Sequence, residues 1–207
     1  MATVAKVSEE ERLRVRQAVA LAEANTSGEI FTVVAEECDD YRFVPLFWAT
    51  CLALITPLPL IYLTPWSASL IWLVQILVFA VAALVLSQAV VRRLVVPASM
   101  KAEAAKARAA EQFLAHGLHT TEARTGVLIF VALAERRAEI IADEGIAAKV
   151  DAMIWQNAME RLTSAIRAGR LADGLVAAVG DAGAVLAQHF PRRAGDRNEL
   201  PDDLVLL

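Results

Sequence analysis

From Phe43 to Val91 the chain carries no Asp, Glu, Lys, Arg or His, an uninterrupted stretch of 49 residues. Built as one helix it would run roughly 70 Å at 1.5 Å per residue, about twice the ~30 Å hydrocarbon core of a bilayer. The stretch must therefore fold back on itself. Pro57, Pro59 and Pro65 lie near its middle, where each removes a backbone donor and crowds the preceding turn. The pattern predicts two membrane-spanning helices, about Phe43–Tyr62 and about Ser67–Val91, joined by a tight turn at Thr64-Pro65-Trp66. Trp48, Tyr62, Trp66 and Trp72 are available as interfacial aromatics. A soluble core has no evident means of covering two helices that are apolar on every side.

Charge sets the expected topology. Arg42 precedes the run, and Arg92, Arg93, Lys101, Lys106 and Arg108 follow it, while the turn between the helices has no charge. The positive-inside rule puts both flanks in the cytoplasm and the turn outside, a two-pass arrangement. A bacterial inner membrane is the simplest setting. The N-terminus, MATVAKVSEEERLRVRQ, is charged within ten residues and does not read as a signal peptide.

The flanks look like ordinary globular protein. The formal net charge of −4 gives no case for nucleic acid. Cys38 and Cys51 form neither a disulfide framework nor a metal motif. Ser8-Glu9-Glu10-Glu11 has the capping-box pattern and opens a helix to about Ala24. After the turn Asn25-Thr26-Ser27-Gly28, the β-branched run Glu29–Ala35 reads as a strand. Past the apolar run, a helix over about Ser99–His116 stops at Gly117. Val127–Ala134 is eight apolar residues in a row, the mark of a central strand buried on both faces. Ala138–Ala142 is a shorter strand, paired with it as a hairpin. A short helical piece at Ile146–Val150, a helix over about Asp151–Ala168, and a last helix opened by Asp173-Gly174 and running to about Phe190 complete the order. The tail from Arg192 begins polar and ends apolar, either docked or loose. This succession reads as an α/β layer protein interrupted by the apolar run.

No P-loop, G-x-G-x-x-G, G-x-S-x-G or H-E-x-x-H occurs, so nucleotide binding and serine-nucleophile hydrolysis lack support. His116-x-x-His119-x-x-Glu122 has ligand-like spacing, but Gly117 interrupts the helix that would align it. His189 sits near the end of the last helix, where a cation is favourable. Carboxylates are the better candidates: Asp39 and Asp40 follow one strand, Asp143 and Glu144 follow another, and Asp173 opens a helix. Ligands of open α/β sheets gather beyond the carboxyl ends of strands, and oxygen donors suit Ca²⁺ or Mg²⁺. Helix capping by Asp143 and Asp173 is the competing explanation.

Thr125-Gly126-Val127-Leu128-Ile129-Phe130-Val131 resembles the TPM-domain family. The likeness continues through Ala134-Glu135-Arg136, Ile140–Ile146 and Ile166–Leu175, with Thr26-Ser27-Gly28-Glu29-Ile30 upstream. The resemblance implies an α/β/α sandwich, into which this chain inserts its transmembrane helical hairpin after the first strand. Residues 1–42 and 92–190 would be the two parts of the domain, 43–91 the hairpin and 191–207 a tail. Some members of the family are described as acid phosphatases or Ca²⁺ binders, and others assist membrane complexes. This chain differs from the commoner layout of signal peptide, exported domain and C-terminal anchor, and has Asp143-Glu144-Gly145 where the family has a Gly-x-Gly. By resemblance, Asp143 and Asp173 are the acidic positions carried over as candidate metal ligands, with no catalytic residue assigned. The expected role is an accessory or interaction module for a membrane protein partner, bound to the lipid bilayer and needing neither nucleotide nor nucleic acid. The alternative is a divalent-cation-dependent phosphatase at the cytoplasmic membrane face. A transporter is disfavoured by the absence of charge inside the run.

Overall fold

The computed structural model describes residues 7–121, 123–192 and 198–207. These fall into two compact units, one made of the residues up to Cys38 together with Ala102–Leu207, the other of Asp39–Lys101.

The first unit is built on a sheet of four strands. β1 (Glu29–Ala35) and β2 (Gly126–Ala132) pair in parallel from Glu29↔Gly126 to Ala35↔Ala132, and every residue of both is buried. Such strands need cover on both faces, and the two-residue side-chain period supplies both. Ile30, Val34, Val127, Ile129 and Val131 face a core shared with α1 (Glu9–Glu23), α8 (Ala152–Arg167) and α9 (Leu171–His189). Phe31, Val33, Leu128 and Phe130 face Ala105, Ala109 and Phe113 of α6 (Ala98–Ala115) and Leu118 of a following 3-10 turn. The unit is thus a mixed α/β domain with helices on either side of its sheet. β3 (Arg137–Ala142) runs antiparallel to β2, closing the expected hairpin. The order across the sheet is β3-β2-β1-β4.

β4 (Leu204–Leu206) was left open by the sequence. It pairs in parallel with β1, with Leu204 fully buried, so the apolar end of the tail docks. α1 opens with the capping box expected of Ser8 and Glu11, Ser8 N donating to Glu11 Oε2 at 2.8 Å. α7 (Glu144–Ala147) is a single turn capped by Asp143. Gly169, at φ +73°, ends α8 as a left-handed stop. α9 starts two residues earlier than the Asp173-Gly174 signal suggests, which places Asp173 inside its first turn.

In the second unit the apolar run forms α2 (Phe43–Ile55), α3 (Pro57–Leu63), α4 (Ala68–Leu86) and α5 (Ala89–Val95). Pro57 does not break the chain direction, because Thr56 keeps helical dihedrals and its hydroxyl donates to the Leu52 carbonyl at 2.8 Å. Pro at a first helical position costs no hydrogen bond. The reversal comes at Thr64–Ser67, where both end residues are extended. α2 and α4 pack together, burying Ala49, Ala53 and Ile71. Extended Gln88 separates α4 from α5, so the second long helix stops at Leu86 rather than near Val91.

Among the described residues, three helices are long and apolar enough to cross a membrane by length and composition: Phe43–Leu63, Ala68–Leu86 and Leu171–His189. The third is a core helix. Leu175, Val179, Ala182 and Leu186 of α9 are buried in the domain, and its Asp173 and Asp181 pair with arginines of α1 and α8. Its apolarity is accounted for by the protein around it.

Candidate functional site

Asp143 lies at the end of β3, and its backbone N–H donates to the Gly126 carbonyl at 2.9 Å. Because β3 is antiparallel to β2, this is the end of the sheet where β1 and β2 begin. The carboxylate is 5% exposed. Its Oδ1 accepts from the Glu144 N–H at 2.7 Å, capping α7. Its Oδ2 lies 3.3 Å from Nε of Arg124, an ion pair without hydrogen-bond geometry.

Arg124 is the residue around which this corner is built, and the sequence reading passed over it. Its backbone is left-handed (φ +54°), its Nη1 donates to the His119 carbonyl at 2.8 Å, and its Nη2 pairs with Glu144 Oε2 at 3.1 Å. Its own carbonyl accepts from the Gly145 N–H at 3.1 Å. A Cβ at Gly145 would meet that oxygen at 2.5 Å, which explains a glycine at this position. One guanidinium therefore ties Asp143, Glu144 and the 118–120 turn together. The only sequence trace of it is a lone arginine just before a buried strand.

Asp173 is elsewhere. It is half exposed and pairs with Arg14 of α1 at 2.7 Å. The last turn of α9 docks where β1 begins: the Ser27 N–H donates to the Phe190 carbonyl at 3.0 Å, and Leu186 covers Gly28. Asp173 precedes Leu186 by thirteen residues, about 20 Å along the helix at 1.5 Å per residue. The two carboxylates thus stand toward opposite ends of the sheet layer, each against an arginine. As placed they do not make a shared donor set for a hard divalent cation, which takes six or more oxygens. Among the described residues no three His, Cys, Asp or Glu side chains gather to hold a metal ion.

The other sequence candidates have local partners. Asp39 accepts from the Tyr41 N–H at 3.3 Å, and Asp40 pairs with Arg42 at 2.8 Å. The His116 ring packs 4.5 Å from Phe31, His119 lies in the 3-10 turn, and Glu122 is outside the described residues. His189 occupies the last turn of α9. Burial, and next Glu135, push the Cys38 thiol up to about 12, which disfavours the thiolate.

A second acidic group escaped the sequence reading. Glu23 at the end of α1, Glu29 of β1 and Asp202 of the tail line a cavity of about 150 Å³ with Thr26, Asn198 and Arg192. Glu23 Oε1 accepts from the Ile30 N–H at 2.7 Å, and Glu29 accepts from the N–H groups of Glu199 and Leu200. Burial, reinforced by Glu29 and Asp202, raises the Glu23 carboxyl to about 8, so it holds a proton at neutral pH. Glu29 follows Glu23 by six residues across the turn, whereas Asp202 comes from the tail, and the docking of β4 holds that tail in place.

A four-stranded mixed sheet with a parallel central pair and helices on both faces defines an α/β sandwich domain. A model of the TPM domain matches residues 86–185, which run from the end of α4 through most of α9. Over that stretch, just under half of its length, the chain matches the TPM-domain family. The NMR structure of the BA42 protein from the psychrophilic bacterium Bizionia argentinensis is similar in fold, with a TM-score of 0.62 at 21% identity over 100% of each chain. No curated protein sequence matches this one.

Proposed function

We propose that the chain is a two-pass membrane protein of the bacterial inner membrane. Its TPM domain, on the cytoplasmic side, serves as an accessory or interaction module for a membrane protein or complex. The supporting observation is the second unit. Its long helices pack on one another along a single stripe and leave the other faces bare and apolar, with Leu63 81% and Leu84 68% exposed. Water is a poor solvent for such a surface, whereas lipid or a second membrane protein covers it. The expected result is that the chain stays with membranes after alkaline carbonate washing and crosslinks reproducibly to one membrane protein in detergent extracts. Release by carbonate would sink the membrane reading. Retention without any reproducible crosslinked partner would sink the accessory role alone.

A second reading, a phosphatase using Ca²⁺ or Mg²⁺ near Asp143, draws on one feature: a buried carboxylate oxygen with no hydrogen-bond donor among the described residues. It predicts cation-dependent release of phosphate from aryl phosphates by the purified chain, lost in Asp143→Asn. Equal rates in that variant remove Asp143 from the reaction.

A further inference from the structure

We propose that Arg92, Arg93 and Lys101 form a binding site for the phosphodiester headgroup of an anionic phospholipid at one end of the α2–α4 helix pair. The inference rests on the membrane reading above and adds a lipid class to it.

The placement comes from chain geometry. α4 has 19 residues, about 28 Å at 1.5 Å per residue, which matches the hydrocarbon thickness of a bilayer. α5 starts three residues after α4 ends and packs on both α2 and α4. With α4 spanning, α5 lies at headgroup depth. Its two arginines are in its last turn, and Lys101 is fixed beside them by donating from Nζ to the Arg93 carbonyl at 2.5 Å. Val90 and Leu94, one helical turn apart, are 64% and 80% exposed. A short element with bare aliphatics next to cations suits the boundary between acyl chains and headgroups.

Charge within the unit points the same way. From Tyr41 to Ala102 the sequence has no carboxylate, so the acids of this unit are Asp39 and Asp40. Asp40 is engaged by Arg42, and Asp39 by the Tyr41 N–H. Arg93 is only partly buried, and its Nε has no hydrogen-bond acceptor among the described residues. A guanidinium with an unsatisfied N–H calls for an oxyanion, and a phosphodiester offers the matching oxygens. The opposite end of the helix pair, Thr64–Ser67, carries no charge, so the preference is confined to one leaflet. Apolar helices continuous with the cations favour a phosphate tethered to acyl chains over a free anion.

The test uses the full chain reconstituted in vesicles of equal parts phosphatidylglycerol and phosphatidylcholine, then extracted in mild detergent for native mass spectrometry of retained lipid. The expected preference for phosphatidylglycerol is about fivefold, the effect of a basic residue near an anionic surface. In the combined Arg92→Gln, Arg93→Gln, Lys101→Gln variant the two lipids should be retained equally. Millimolar inorganic phosphate should leave the preference intact. Equal retention by the unaltered chain, persistence of the preference in the variant, or displacement by inorganic phosphate would each overturn the proposal. Carbonate washing of the same vesicles separates the two failures. A chain that stays in the pellet without lipid preference refutes the headgroup site alone, and one that is released refutes the membrane reading beneath it.

Discussion

Replacing Glu23 by Gln tests the acidic cavity against a defined pH window. Glu23 is partly buried at the negative end of α1, near Glu29 and Asp202, and its carboxyl is raised from 4.5 to about 8. Between those values the folded chain keeps a proton that the unfolded chain has lost. Stability therefore falls as pH rises through this window and levels off above about 8, with a slope of at most ~1.4 kcal/mol per pH unit. The full interval would amount to ~5 kcal/mol, but partial solvent access screens a charge at this depth, so we expect about 1–2 kcal/mol. Gln keeps an oxygen for the Ile30 N–H and cannot ionise. Denaturant unfolding of the full chain in neutral detergent at pH 5.5 and pH 8 should show the unaltered chain losing that amount more than Glu23→Gln. Titrating groups away from the cavity are common to both chains and cancel in the difference. Parallel stability profiles for the two would refute the claim that Glu23 holds its proton.

Gly145→Ala drives a methyl into the Arg124 and Ala123 carbonyl oxygens, at 2.5 and 2.8 Å, and should cost about 1–3 kcal/mol by the same unfolding assay. Asp173→Asn breaks a half-exposed pair with Arg14 and should shift stability by less than ~1 kcal/mol. Leu204→Ala empties a fully buried site and should cost ~2–5 kcal/mol, with amide exchange accelerating first in Val34 and Glu36, whose backbone groups face β4.

The elements that the sequence revealed are those whose stability is local or whose pattern is extreme. Ser8 and Glu11 meet within one helical turn, and Val127–Ala132 could be nothing but a buried strand. β4 was illegible for the converse reason. Three residues at the end of a polar tail carry too little periodicity, and their strand character comes from β1, more than 160 residues away. The acidic candidates failed to converge through topology. The expectation that ligands gather beyond strand ends holds for parallel strands, but antiparallel β3 delivers Asp143 to the end where β1 and β2 start. Arg124 could not be recognised because its role depends on a left-handed backbone that brings its carbonyl to Gly145 and its guanidinium to two acids at once.

The pairing of β1 with β2 also orders events during synthesis. Ala35 and Gly126 are separated by the whole of the apolar run, α5 and α6. At ~5–20 residues per second, β1 leaves the ribosome roughly 5–20 s ahead of its central neighbour. The greasy helices emerge within that interval, so they must find their own environment while Ile30, Phe31, Val33 and Val34 still lack a sheet. A nascent chain of this design needs prompt capture of its middle before its ends can meet. Slowing that capture should expose an unpaired, aggregation-prone strand even though the finished domain buries it completely.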